Sequence, residues 1–117
     1  MLKVRDGIQI YVSIEPIDAR KSIDTLAMLV FDEFKQDPRS GHVFVFFNRS
    51  HDKAKILYWD RNGYVLHYKR LEKHRYVLPK SGQVHYQINE MQLAGLLAGL
   101  NFEIIGEFYE INYENLF

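Results

Sequence analysis

The sequence predicts an α+β fold, in which a single domain holds a mostly antiparallel sheet of four to six strands with two main helices packed on one face. Three observations lead to this prediction. The length of 117 residues suits one domain spanning residues 1–117. Two segments space their apolar residues as amphipathic helices do. Three strand-like runs between residues 42 and 70 follow one another with no helix between them, which disfavours parallel pairing.

The first predicted elements are a short strand and a helix. Ile8–Val12 alternates and is rich in β-branched and aromatic residues, which is typical of a strand. Asp18 is a suitable N-cap for a helix that begins near Ala19, and Pro38 is expected to stop that helix. One wide apolar stripe runs along it. Its members are Ile23, Leu26, Ala27, Val30, Phe31 and Phe34.

The middle of the chain predicts a central strand and a hairpin. His42–Phe47 is apolar almost throughout, so we expect it to be buried on both faces and central in the sheet. Lys53–Trp59 and Tyr64–Arg70 flank Asn62-Gly63, a pair that favours a hairpin turn because both residues tolerate positive φ. The sequence leaves open which hairpin face is exposed, because a register slip of one residue reverses the answer.

The last third predicts a strand, a second helix and a tail. Val84–Ile88 is a candidate strand, and Asn89 is the expected N-cap of a helix, with Gln92 as its capping-box partner. Leucines 93, 96, 97 and 100 form the apolar stripe of this helix, and Gly99 is expected to mark its end. Residues 102–117 form an acidic aromatic tail or an edge strand.

Composition excludes several classes of protein. The chain has no cysteine, which rules out disulfides, thiolate catalysis and Cys-ligated zinc. The aromatic share of 15% argues against disorder. No secretory signal is recognisable, and no apolar run approaches the roughly 18 residues that a membrane span needs. We therefore expect a cytoplasmic protein with no membrane partner.

The net charge of zero conceals an uneven distribution. Residues 49–80 contain nine Lys or Arg and three acidic residues, a net charge of +6, and the rest of the chain carries −6. A basic segment between acidic flanks is a hint of a polyanionic partner. The alternative is that neighbouring segments neutralise each other within the fold, and the two interpretations weigh about equally.

Five segments carry a family resemblance through their order and spacing. They are Gly41–Arg49, Asp52–Asp60, Gly63-Tyr64, Tyr68–Glu72 and Arg75–Pro79. Together they closely resemble the TnpB-type accessory proteins of the insertion-sequence-66 family of mobile elements. Residues 16–21 and 24–27 resemble the opening helix of that family and residues 93–100 its closing leucine-rich helix, so the resemblance covers about residues 8 to 101.

The resemblance implies a role in transposition, a form of DNA recombination, beside a separate transposase encoded by the same insertion sequence. It implies no catalytic site, and the residues agree: Asp24, Asp52, Asp60 and Glu72 are scattered, whereas two-metal catalysis needs clustered carboxylates. The five histidines have no recognised ligand spacing. We expect no enzyme activity, catalytic residue, cofactor or metal, and the oligomeric state stays open.

Nine residues of the basic segment are candidates for nucleic-acid binding. Cations contact phosphates and release counterions, and aromatic rings can stack on exposed bases. The candidates are Arg49, Lys53, Lys55, Trp59, Tyr68, Lys69, Arg70, Lys73 and Arg75. The competing interpretation is a solvated sheet face with core aromatics.

Two functions follow from these expectations. The first is a transposition accessory protein that binds DNA at the element ends through a basic aromatic hairpin surface and helps the transposase to engage them. The alternative is a protein-interaction subunit that contacts the transposase without touching DNA, which the aromatic tail and the zero net charge favour. A third idea is that the acidic tail shields the basic face until DNA or transposase displaces it.

Overall fold

A five-stranded sheet with one helix on each side forms the framework of the protein. The computed structural model describes residues 5–78 and 82–101. The strands are β1 (Ile10–Ser13), β2 (Val43–Phe47), β3 (Lys53–Asp60), β4 (Gly63–Arg70) and β5 (His85–Ile88), and the helices are α1 (Ile23–Glu33) and α2 (Glu90–Leu97). The predicted tail or edge strand at residues 102–117 lies outside the described residues.

The sheet has the spatial order β4-β3-β2-β1-β5, with β2 at its centre and all five β2 residues buried, as predicted. β2, β3 and β4 pair in antiparallel fashion, as do β1 and β5. β1 and β2 pair in parallel. The α+β class and the mostly antiparallel sheet are thus confirmed, but the sheet is mixed. Parallel pairing is possible here because α1 lies between the two strands in the chain and provides the crossover.

The two helices pack on opposite faces of the sheet, so the prediction that both lie on one face is wrong. On one face, Phe44 and Phe46 of β2 pack with Leu26 and Val30 of α1. On the other, alternate residues of β2 pack with α2. This second cluster includes Val43, Val45, Phe47, Leu93, Leu96 and Leu97. A strand that is apolar on both faces needs a covering layer on each, and each helix supplies one.

The start of α1 differs from the prediction. Asp18 does not cap the helix: its Oδ1 accepts the backbone N–H of Arg20 at 2.9 Å, and its carbonyl accepts that of Lys21 at 2.9 Å. These bonds close a turn, because a short carboxylate can satisfy the backbone two residues ahead as well as it can cap a helix. The helix begins at Ile23, with Ser22 at the N-cap.

The other end of α1 also departs from the prediction. The helix ends at Glu33, before Pro38, and Lys35 takes a φ of 56°. Phe31 of the predicted apolar stripe is 66% exposed, so the stripe that reaches the core is narrower than expected. Met28, one turn away, is 65% exposed.

The hairpin of β3 and β4 forms where it was predicted. Its register runs from the pair Lys53–Arg70 to the pair Asp60–Gly63. The two loop residues are therefore Arg61 and Asn62, and the positive φ of 54° falls on Arg61 instead of on Asn62 and Gly63. The turn signal located the hairpin correctly and placed its central residues one position too late.

The predicted capping of α2 is confirmed. The Asn89 side chain accepts the backbone N–H of Gln92 at 2.7 Å, and the Gln92 side chain accepts that of Asn89 at 2.8 Å. Gly99, with a φ of 86°, ends the helix, as its N–H donates to Leu96 and the N–H of Leu100 donates to Gly95. Leu100 of the predicted stripe is 57% exposed.

Candidate nucleic-acid interface

Most of the candidate cations meet at one end of the sheet. β2 ends there, β3 begins there and β4 ends there. The loops and strand ends at this edge carry five cations from three chain segments. We call them the basic end: Arg49, Lys53, Arg70, Lys73 and Arg75.

A buried asparagine shapes the turn at the basic end. Asn48 is 8% exposed, and its Oδ1 accepts the backbone N–H groups of Asp52 at 3.1 Å and of Lys53 at 3.0 Å. Its Nδ2 donates to Asp52 Oδ1 at 2.6 Å, which holds the pKa of that carboxyl below its usual range. Because three bonds converge on one side chain, the turn that presents Arg49 and Lys53 has a fixed geometry.

The segment after β4 is bonded to this same turn. Residues 71–76 follow the strand without forming a further element, and they carry two cations of the basic end. Three hydrogen bonds hold the segment in place: Leu71 N–H to the Asp52 carbonyl at 2.7 Å, Tyr76 N–H to the His51 carbonyl at 2.7 Å, and Arg75 Nη1 to the Ser50 carbonyl. Lys73 and Arg75 are therefore kept beside the turn.

Tyr76 anchors the segment in the core. Its side chain is 2% exposed, and its ring meets that of Phe47 edge-on at 5.1 Å between centroids. Burial raises the pKa of Tyr76 to about 12, and the nearby Asp52 carboxylate adds to the shift. The phenol therefore stays protonated at neutral pH and acts as a structural group.

Two of the five cations have carboxylate partners. Lys53 Nζ lies 3.2 Å from Asp52, and Arg70 Nη2 lies 2.9 Å from Glu72. The Arg70 pair is exposed at both side chains, and Glu72 raises the pKa of Arg70 further. An exposed pair of this kind contributes little to stability, so Arg70 can exchange its carboxylate for another anion.

The other cations give the basic end its net charge. Arg49 and Lys73 are exposed and, within residues 5–78 and 82–101, make no hydrogen bond or ion pair. Five cations against two carboxylates leave a net charge of +3 in a small area. Such a patch attracts anions over the range of a Debye length.

Tyr68 lies next to the basic end. It is on the same face of the sheet as α1, which packs on that face further along the strands. It pairs across the hairpin with Lys55, and the neighbouring pair on the same face is Lys53–Arg70. The Tyr68 side chain is 53% exposed. Lys55 is 9% exposed; its Nζ lies 5.4 Å from the Tyr68 ring centroid and donates to the Lys21 carbonyl at 2.5 Å.

The structure does not bring the remaining two candidates to this place. Lys69 lies on the opposite face of the sheet, where its Nζ donates to the Leu97 carbonyl at the end of α2 at 2.8 Å. Trp59 lies at the turn end of the hairpin, about 20 Å along the strand from Lys53. Arg39 sits over the Trp59 ring at 5.0 Å, and Tyr64 meets it edge-on at 5.0 Å. Participation of all nine candidate residues in binding stays a prediction.

Comparison with known proteins identifies the family. The family described as IS66 Orf2 like protein matches residues 8–106, most of the chain. The chain belongs to this family. Membership confirms the resemblance read from the sequence and places the protein among transposition-associated accessory proteins of insertion sequences.

Two curated proteins of Sinorhizobium fredii (strain NBRC 101917 / NGR234) are similar to this Orf2-like chain. "Uncharacterized protein y4jC" is 35% identical over 98 residues, which cover 82% of both chains. "Uncharacterized protein y4hO" is 30% identical over 102 residues, which cover 87% of this chain and 89% of that protein. No solved structure gives a significant match.

Sequence reasoning missed two residues of this Orf2-like protein that shape its surface. Asn48 holds the turn of the basic end through hydrogen bonds to its backbone. An Asn directly after an apolar strand is a recognisable turn signal. Arg39 covers Trp59, but nothing in the sequence links the two residues. In the part of the chain that the structure describes, no three His, Asp or Glu side chains gather as metal ligands do, and no helix is long and apolar enough to cross a membrane.

Proposed function

We propose that this IS66 Orf2-like protein binds DNA at the ends of its element through the basic end, and so helps the transposase to engage them. The observation that carries the proposal is the convergence of five cations from three segments on one rigid turn. An array of cations on a fixed backbone suits the phosphate backbone of DNA, because the turn and the segment after β4 are ordered before the ligand arrives and little backbone freedom is lost on binding.

The electrostatics support phosphate as the ligand class. The carboxylates of Asp52 and Glu72 each pair with a cation that is itself partly accessible. A phosphate can readily replace Glu72 as the partner of Arg70, since exposed ion pairs contribute only about 0–1 kcal/mol. Arg49 and Lys73 need no rearrangement to receive a phosphate, which makes them the first contacts we expect.

Salt-dependent binding tests the proposal. Labelled duplexes of an element end and of a scrambled sequence are titrated with the protein at several salt concentrations. Phosphate contacts predict a linear fall of log affinity with log salt, with a slope of about 0.9 per phosphate. The double variant Arg49→Ala/Lys73→Ala should weaken binding to both duplexes and lower the slope by about two.

A matched control removes a cation away from the basic end. Lys35→Asn suits the purpose, because Lys35 is exposed and asparagine tolerates its positive φ. This variant should retain the affinity and the slope of the wild type. Absence of binding to any DNA, duplex or single-stranded, at low salt would contradict the proposal.

The second candidate function is a protein-interaction subunit that contacts the transposase without touching DNA. The exposed pair Met28 and Phe31, one turn apart on α1, favours it, because large apolar side chains at the surface mark contact sites when they are adjacent. If this function is correct, the double variant Met28→Ser/Phe31→Ser should abolish co-purification with the transposase of the same element, while Arg49→Ala/Lys73→Ala should not.

A further inference from the structure

We propose that Tyr68 is a stacking platform for an unpaired base, so that the DNA held at the basic end is single-stranded where it crosses β4. This inference rests on the proposed function and adds the form of DNA that the surface selects. It starts from an aromatic side chain that the fold leaves 53% exposed on an edge strand.

The ring is supported from within the protein. Lys55 lies directly opposite Tyr68 in the hairpin, with its ammonium 5.4 Å from the ring centroid. That ammonium is fixed by its bond to the Lys21 carbonyl, and Lys55 as a whole is 9% exposed. A fixed cation next to the ring attracts its π electrons and restrains its position. The ring is thus held in place while much of its surface stays open to solvent.

Phosphate-binding groups stand at the right place for a nucleotide. Arg70 follows Tyr68 by two residues in β4 and therefore lies on the same face of the sheet, about 7 Å further along. Lys53 pairs with Arg70 and adds a second cation at that level. A chain with its base on Tyr68 can therefore place a neighbouring phosphate between Lys53 and Arg70.

The preference for an unpaired base follows from where the flat surfaces of bases are found. In a duplex each base is stacked between its neighbours and offers only its edges in the grooves. A tyrosine ring on a sheet face can stack only on a base that is free of its partner, as aromatic platforms in single-strand binding proteins do.

Trp59 is less suited to this role, although it is the larger ring. The Arg39 guanidinium lies over one face of the indole, and Tyr64 meets it edge-on. Trp59 pairs with Tyr64 at the turn end of the hairpin, so no cation of the basic end lies beside it. The observations therefore favour Tyr68 as the stacking residue.

The test compares a labelled single strand with a duplex of the same sequence, using the wild type, Tyr68→Phe, Tyr68→Leu and Arg49→Ala/Lys73→Ala. The wild type should bind the single strand more tightly. Tyr68→Leu, which keeps apolar volume over Lys55, should lose roughly five- to 150-fold in single-strand affinity while its duplex affinity stays unchanged. Tyr68→Phe should behave as the wild type, because the ring is retained. Thermal unfolding of each variant checks that it is folded.

The outcomes separate this inference from the proposed function. Salt-dependent duplex binding that is at least as tight as single-strand binding, with Tyr68→Leu equal to the wild type on both, would overturn the stacking role and leave the basic end intact as a binding site. An equal loss on both ligands in Tyr68→Leu would assign Tyr68 to the support of Lys55 and overturn the inference as well. Failure of the wild type to bind either ligand would overturn both proposals.

Discussion

The ammonium group of Lys55 donates a hydrogen bond to the backbone carbonyl of Lys21 at 2.5 Å, across 34 positions of the chain. This bond fastens the loop before α1 to the hairpin close to the basic end, next to the apolar cluster under the helix. A lysine in the basic segment has thereby become a structural residue. Its charge is satisfied by a carbonyl dipole and an aromatic ring, with 9% of its surface exposed.

Replacement of Lys55 by methionine should therefore destabilise the protein. Methionine retains the length of the side chain but leaves the Lys21 carbonyl without its partner, and loss of a hydrogen bond to a charged group costs about 1–3 kcal/mol. Urea unfolding followed by circular dichroism measures the change. Lys73→Met serves as the control, because Lys73 is exposed and should stay within about 0.5 kcal/mol of the wild type. Equal midpoints for both variants would contradict the structural role.

The sequence could predict that Lys55 and Tyr68 lie on a hairpin, but it could not predict what they contact. Alternation divides each strand into two faces, and it places Lys55 with Leu57 on the same face. The partner of Lys55 comes from a loop whose path depends on how α1 docks. Partners that distant in the chain leave no local signal in the sequence, so the cations looked alike before the fold was known.

Substitution of Asn48 by alanine should destabilise the turn of the basic end. The substitution removes the acceptor for two backbone N–H groups in a site that is 8% exposed, and unsatisfied buried donors cost about 1–3 kcal/mol. The loss should appear as a lower urea midpoint at pH 7. It should be accompanied by weaker DNA binding, because Arg49 and Lys53 lose their fixed positions. A variant with wild-type stability and wild-type affinity would contradict this account of the turn.

Acid titration should reveal the bond between Asn48 and Asp52. The folded pKa of Asp52 lies below its usual value, chiefly because the Asn48 amide donates to it and Lys53 lies nearby. Its carboxylate therefore contributes stability above the unfolded pKa of about 3.9, and this contribution is lost as the pH falls from there through the lower folded pKa. Asp52→Asn should flatten this part of the stability profile, measured as urea midpoints between pH 2 and pH 7. An unchanged acid slope in Asp52→Asn would exclude Asp52 as a source of it.

Much of the fold could be predicted because its signals are local. The capping box of Asn89 and Gln92 lies within four residues, and the hairpin turn lies within another four. The placement of α1 and α2 on opposite faces depends on the whole sheet, so helical stripes alone could not settle it. Asp18 illustrates the remaining difficulty, because the same carboxylate can cap a helix or close a turn, and the choice follows from bonds to Arg20 that compete with capping.

Trp59 is the only tryptophan and should report on the turn end of the hairpin. Arg39→Ala removes the guanidinium that lies 5.0 Å over its ring, which should shift the Trp59 emission to longer wavelength as water reaches the indole. The loss of stability should be about 0.5–1 kcal/mol. Arg39→Lys retains a cation and should give a smaller shift. An unchanged spectrum in Arg39→Ala would show that the cation does not shield the ring.

Lys69 and Arg70 are adjacent in β4 and lie on opposite faces of the sheet. Their variants therefore distinguish an effect on stability from an effect on DNA binding. Lys69 donates to the Leu97 carbonyl at the C-terminal end of α2, where a cation also meets the negative end of the helix dipole. Lys69→Ala should therefore lower the free energy of unfolding by about 1 kcal/mol and have a small effect on DNA affinity. Arg70→Ala removes an exposed cation of the basic end, so it should leave stability within about 0.5 kcal/mol and lower the salt slope of binding by about one. Urea unfolding and duplex binding on the same two variants measure both quantities. If Lys69→Ala instead weakened binding as much as Arg70→Ala without loss of stability, the DNA would have to contact the face of the sheet that α2 covers, and the basic end would not be the site.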